Sequence, residues 1–149
     1  MGTLIKNYIS FEKKFDFNFL SNLLDNNNLE SSISSNWNNM FIFESVFKIQ
    51  NVEKDLYFLE IFSLLNNQFN KENKKSDLFL FCSFVSGTKS ITHRDEYDVF
   101  ILSLKGKTLY IVEQEEFILE EGDLLSIKKN QLHKAIGLTP RICLSYGIR

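Results

Sequence analysis

Cysteine and histidine are scarce in this 149-residue chain, with two of each. Cys82 and Cys143 both fall inside apolar, strand-like segments, and no Cys-x-x-Cys pair or zinc-ribbon spacing is present. They are expected to act as small buried hydrophobes. No apolar run approaches the ~20 residues that a membrane-spanning helix needs. Met1 to Ile9 contain no sustained apolar stretch and so no signal-peptide pattern, and the expected location is cytoplasmic. Basic residues form no run and the net charge is −2, so no obligate nucleic-acid partner is expected. No internal repeat and no linker divides the chain. With 44% apolar residues, it reads as one globular domain over 1–149.

What the chain does contain is phenylalanine, fifteen in all, and a change of periodicity midway. Phe11, Phe15 and Phe19, then Leu20, Leu23 and Leu24, recur at helical spacing, which predicts one helix or two short ones within residues 1–30. Ser31 to Asn39 has a loop composition, with Trp37 expected to pin it to the core. Alternation over Met40 to Ile49 predicts a strand. Phe58, Ile61, Phe62, Leu65 and Phe69 then predict a helix over Val52 to Phe69. From Leu78 the helical period disappears. Short apolar segments follow at 78–85, 99–104, 108–113, 117–119, 124–127, 134–136 and 142–148, separated by turn signals such as Lys105-Gly106 and Glu121-Gly122-Asp123. Many short strands at this spacing predict a sandwich or barrel. The chain is therefore read as mainly β, a jelly-roll core over 78–149 preceded by a helical and β prefix over 1–77.

Both histidines stand in patterned positions. His93-Arg94-Asp95 puts an imidazole and a carboxylate on one face of an extended chain, because side chains alternate with period two. His133 would add a third ligand from another strand. Two imidazoles and one carboxylate form the facial set suited to non-haem Fe(II), with positions left for other ligands.

The spacing carries a family resemblance. Gly87 lies six residues before His93 and Gly122 eleven before His133, as in the two cupin motifs. Lys128 and Asn130 stand where that family usually has Pro and Gly. The usual glutamate after the first His pair is absent, with Val99 and Phe100 nearby, which leaves three protein ligands: His93, Asp95 and His133. Within the cupins, residues 78–149 resemble the Jumonji-C-like Fe(II)- and 2-oxoglutarate-dependent oxygenases, and among these the ribosomal-protein hydroxylases. The likeness rests on His93 to Ile101, on Gly122 to His133, and on Leu144 to Arg149.

The resemblance implies a double-stranded β-helix and a hydroxylase that couples oxidative decarboxylation of 2-oxoglutarate to oxidation of an amino-acid side chain. The target would lie in a peptide, a protein or a small precursor. The chain is shorter than the family's protein-modifying members, which favours a peptide or small molecule, and a homodimer is compatible with it. The family anchors the far carboxylate of 2-oxoglutarate with Lys or Arg on the strand after the glycine hairpin. That position is Thr108 here, and Lys107 should face the other way. Lys107 after a register shift, Arg141 and Lys105 are the candidate replacements. Ser90 and Ser145 match positions that hydrogen-bond the co-substrate. Thr108 also supports an alternative, a metal-dependent cupin enzyme that does not use 2-oxoglutarate. A non-catalytic binding cupin is the third reading. Tyr97 and Asp98 are expected to support the site, Arg149 to form an ion pair, and Glu113 to Glu121 to be a solvated edge hairpin.

Overall fold

The structure, a computed structural model, describes residues 2–12, 15–24, 30–31 and 46–149. Its elements in chain order are β1 (Thr3–Ile5), α1 (Phe17–Leu24), β2 (Glu30–Ser31), β3 (Phe47–Gln50), a 3-10 turn (Val52–Lys54) and α2 (Leu56–Phe69). There follow β4 (Ser76–Ser83), β5 (Asp98–Lys105), β6 (Thr108–Val112), β7 (Glu115–Leu119), β8 (Leu124–Ile127), β9 (His133–Gly137) and β10 (Arg141–Ile148). The strands form a seven-stranded sheet in the order β1-β8-β5-β10-β4-β3-β2 and a three-stranded sheet in the order β7-β6-β9. Every pairing is antiparallel. This is the jelly roll expected from the strand spacing.

The central strands of the large sheet bury both faces. Leu80 of β4, Leu102 of β5 and Leu144 of β10 are fully buried together with Phe58 and Leu65 of α2. Each such side chain contributes about 2 kcal/mol by leaving water. Residues one step along the same strands, Val99, Ile101 and Cys143, pack against the small sheet through Tyr110, Val112 and Ala135. Period-two alternation thus divides the molecule into a helix-covered layer and an inter-sheet layer.

The β core lies within one or two residues of its expected boundaries, and the prefix departs further. β1 was not expected. It pairs with β8, Leu4 opposite Leu125, and is fixed from a distance by Asp123. That carboxylate accepts from Lys6 Nζ (2.6 Å), Asn7 N (3.0 Å) and Glu120 N (2.8 Å). Phe11 and Phe15 precede α1 instead of riding on it. Their spacing of four serves an aromatic cluster in which Phe15 meets Phe11 and Phe19 edge-on, at 5.2 and 5.0 Å. The helix expected over 52–69 is broken at Asp55, whose carboxylate accepts from Tyr57 N at 3.0 Å and caps α2. The expected strand over 40–49 is seen as β3, its residues 40–45 lying outside the described residues, as does Trp37. Among the described residues no helix is long and apolar enough to cross a membrane.

Candidate metal centre

The segment from Gly87 to His93 is not a ladder strand, yet it runs antiparallel beside β9. Gly87 N donates to Gly137 O (2.7 Å), Ser90 N to Ala135 O (2.9 Å), and His93 and His133 exchange both backbone hydrogen bonds at 3.0 and 2.9 Å. Ser90 Oγ accepts from Ala135 N at 2.9 Å, filling in where the register slips. The His-x-Asp pair therefore sits on an extended segment tied to β9 by the His93–His133 bridge. Alternation still holds. Arg94 points away, towards Glu113 and the Asn130 carbonyl, while His93 and Asp95 share a side.

One ligand atom from each of His93, Asp95 and His133 falls within 4.8 Å of the others. Among the described residues no other group of three or more His, Cys, Asp or Glu side chains is so placed. His93 Nδ1 lies 2.9 Å from Ile91 O and His133 Nδ1 lies 3.0 Å from Gln131 O. A carbonyl only accepts, so each Nδ1 carries its hydrogen, and Nε2 is the nitrogen left to face a metal. His133 Nε2 is 3.4 Å from Asp95 Oδ2. Contact with His133 holds the Asp95 carboxyl below its usual pKa, against the opposing effect of burial. Burial works against a charged His133, but Asp95 and the Gln131 carbonyl outweigh it and raise its pKa. A dication between these groups would satisfy the carboxylate and both imidazoles.

The loop leading into His133 explains two departures from the family pattern. Asn130 adopts φ 65°, the left-handed conformation in which Asn is the usual substitute for Gly. Its N–H donates to Asp95 O at 2.8 Å. Asp98 accepts from Lys129 N and from Lys128 Nζ, both at 2.9 Å, and so clamps the same loop. Burial opposes the charge on Asp98, but those two hydrogen bonds hold its pKa below the ordinary value. Arg149 pairs with Asp77 at 2.6 Å and lies 4.4 Å from the Tyr97 ring centroid.

The three candidate ligands open onto a cavity of about 310 Å³ between the sheets. Ser90, Arg141 and Ser145 line it. Lys107 and Lys105 do not. Lys107 is turned outward to Glu120, 2.6 Å away, and Lys105 borders a separate small cavity with Asp16 and Pro140. Thr108 is buried with its hydroxyl unpartnered among the described residues, and Tyr110, two residues along the same inward row, is the member that reaches the cavity wall. Arg141 is the distinctive group. It is 4% exposed, and its Nε and Nη1 have no hydrogen-bond partner among the described residues. A Cβ at Gly137 would stand 3.3 Å from Arg141 Nε and 2.9 Å from the unpartnered Thr88 Oγ1, so glycine makes room for both. Buried donors of this kind call for an acceptor. A carboxylate fits a guanidinium in both charge and shape.

Several lining residues were not anticipated: Lys48, Phe79, Phe81, Lys89, Tyr110 and Cys143. Phe79 and Phe81 alternate along β4 with the buried core residues Leu78 and Leu80 and are themselves half-buried, facing the cavity. Val99 and Ile101 add an apolar part to the lining. Burial raises the pKa of the Tyr110 hydroxyl, which lies beside Cys143 and Arg141. Cys82, buried on the helix side, is pushed up to about 12, so neither its burial nor its titration suggests reactivity.

Comparison with known proteins agrees with this architecture. Residues 80–143 match the cupin domain family model. No curated protein matches the sequence. Among solved structures, the fold is similar to that of YcfD, a ribosomal oxygenase from Escherichia coli. Its complex with cobalt and 2-oxoglutarate has a TM-score of 0.75 at 20% identity, over 100% of this chain and 48% of that one. Its complex with cobalt and succinic acid gives 0.74 at 21% identity, over 99% and 48%. A further crystal structure of the same enzyme gives 0.76 at 20% identity, over 99% and 48%. This chain spans about half the length of those structures, and at such identities the likeness is one of fold. With its paired antiparallel sheets and its two motif segments meeting at His93 and His133, the β-rich second half of this protein has the jelly-roll fold of the cupin domains whose family model it matches over residues 80–143.

Proposed function

We propose that this protein is an Fe(II)- and 2-oxoglutarate-dependent oxygenase that hydroxylates an amino-acid side chain in a peptide, a protein or a small precursor. The observation that carries the reading is the meeting, in one cavity, of a two-histidine, one-carboxylate group with a buried arginine, two of whose nitrogens have no hydrogen-bond partner among the described residues. The residues fit both groups that the reaction needs. His93 and His133 offer Nε2 and Asp95 an anionic oxygen, the donor set suited to Fe(II). Arg141, on β10, would supply the cation that Thr108 cannot, and receive the far carboxylate of 2-oxoglutarate. Ser145 and Ser90 add hydroxyls to the same wall. When bound, iron and 2-oxoglutarate supply oxygen activation and oxidative decarboxylation. Around them Val99, Ile101, Phe79 and Phe81 limit water, while the Asp98 clamp keeps the loop before His133 in place. The similarity to a structure holding cobalt and 2-oxoglutarate supports the reading.

The test is anaerobic titration of the Fe(II)-loaded protein with 2-oxoglutarate, following the weak visible metal-to-ligand charge-transfer band. The band should appear, and should be absent in His133→Ala, whose iron affinity should fall by more than about a hundredfold. Iron binding without a band would leave a cupin enzyme that works without 2-oxoglutarate. Failure to bind iron would leave a binding cupin and end the oxygenase reading.

A further inference from the structure

We infer that two copies of this chain associate through the outer face of the three-stranded sheet, about a two-fold axis parallel to β6. The inner face of that sheet lines the cavity through Tyr110, His133 and Ala135. Alternation turns the residues between them the other way. On that outer side the strand pairing sets two rows across the sheet: Ile118, Leu109 and Ile136, then Glu116, Ile111 and Lys134. Ile118 is 49% exposed, and Leu109, Ile111 and Ile136 are half-buried. None of the four belongs to, or packs against, either buried cluster. Four large apolar side chains set side by side, with nothing from the core against them, mark an interaction surface.

The charges select the occupant and its orientation. Glu116 stands at the β7 end of its row and Lys134 at the β9 end, and neither has an ion-pair partner among the described residues. A face that is acidic at one end, basic at the other and apolar between is complementary to itself once turned over. A two-fold axis along β6 lays β7 of one copy over β9 of the other. Glu116 then meets the partner's Lys134 and Ile118 meets the partner's Ile136, while Leu109 and Ile111 meet their own counterparts on the axis. Each such contact occurs twice. An axis running across the strands would instead stack β7 on β7 and bring Glu116 and Glu120 together, acid on acid, which is costly. With the axis along the strands the two sheets pack in the aligned manner of a β-sandwich. The face offers on the order of ten residues a side, against 20–30 in an interface of standard size, so the dimer is weak, with a dissociation constant of about 10–100 µM. The cavity, on the opposite side of the sheet, is left uncovered.

The experiment is sedimentation equilibrium of the full chain from about 5 to 500 µM. The native protein should be mainly dimeric at the top of that range. Leu109→Lys, which places like charges on the axis, should leave it monomeric. Glu116→Lys and Lys134→Glu should each weaken self-association at least about tenfold, because each creates two like-charge contacts. Mixed in equal amounts, those two single variants should pair with each other about as tightly as the native chain pairs with itself, since every facing pair is again opposite in sign. The Glu116→Lys/Lys134→Glu double variant should self-associate likewise. Misfolded chains would not recover on mixing, so the mixture separates a lost interface from a lost fold. Three results each overturn the proposal. A monomer at about 500 µM would leave the face to a different partner. A dimer that both single reversals leave unchanged would lie on another surface. Weakened single variants that fail to recover when mixed would show that Glu116 and Lys134 do not face each other.

Discussion

The two faces of the large sheet are built from the same strands and put to opposite use. On β10, Ile142, Leu144 and Tyr146 look towards α2, while Arg141, Cys143 and Ser145 look into the cavity. The helix side is apolar and filled, apart from Tyr146, whose hydroxyl is satisfied by Asn66 at 2.6 Å. The cavity side carries a buried guanidinium with two unpartnered nitrogens, a carboxylate and a raised imidazole pKa. The first face stabilises the fold, and the second holds polar groups at a cost that only a ligand would offset. Substitutions on the two faces of one strand should therefore have opposite signatures.

The largest effect is expected on the filled face. Leu144 is fully buried between β10's neighbours and the helix. Leu144→Ala should cost about 3–5 kcal/mol through lost burial and the cavity left behind, measured by urea denaturation of the metal-free protein. Once folded, the variant should keep its affinity for iron and 2-oxoglutarate. A stability loss below about 1 kcal/mol would mean that the two faces are not as different as their packing suggests.

Next comes the opposite sign. Arg141→Met removes a buried guanidinium, two of whose nitrogens have no hydrogen-bond partner among the described residues, while keeping most of its volume. Stability of the ligand-free protein should rise by about 1–3 kcal/mol. Affinity for 2-oxoglutarate should meanwhile fall by about a hundredfold or more, because its carboxylate loses a buried partner. A variant that is both less stable and unchanged in 2-oxoglutarate binding would make Arg141 a structural residue and the contrast between faces false.

How much of this was legible in the sequence depends on the range of the forces involved. The strands from β4 to β10 follow from local alternation, and the convergence of His93, Asp95 and His133 from the rarity of histidine and the spacing of Gly87 and Gly122. β1 was not legible, since three residues carry no pattern and the bonds that hold it come from Asp123, well over a hundred positions away. Phe11 and Phe15 imitate a helical repeat because an aromatic cluster imposes its own spacing. Arg141 stood among several candidate cations. Its neighbours could not be foreseen, because β10 is bulged between Ile142 and Cys143 and the room for its side chain is made by Gly137 on another strand. Lys107, nearer in sequence to the expected place, is drawn outward by Glu120.

The smallest effect tests whether the cavity face is held in place by its rim. Asp98, at the start of β5, accepts from Lys129 N and Lys128 Nζ and so fixes the loop that delivers His133. Its pKa is lowered in the fold, so its contribution is present above the unfolded carboxylate pKa of about 3.9 and lost as pH falls through the lower folded value. Asp98→Asn keeps an acceptor for Lys129 N but removes the charge. In the pair with Lys128 the lysine is 59% and the aspartate 34% open to water, so after screening the difference from the native protein should be only about 0.5–1 kcal/mol near neutral pH. It should shrink below about pH 4 and also in high salt. Denaturation midpoints at a series of pH values measure this directly, and iron affinity measured alongside shows whether the clamp also positions His133. A difference that grows as the pH falls has the wrong sign for a lowered carboxylate. In that case the loop would be held by its backbone alone, through the left-handed turn at Asn130 and its bond to Asp95.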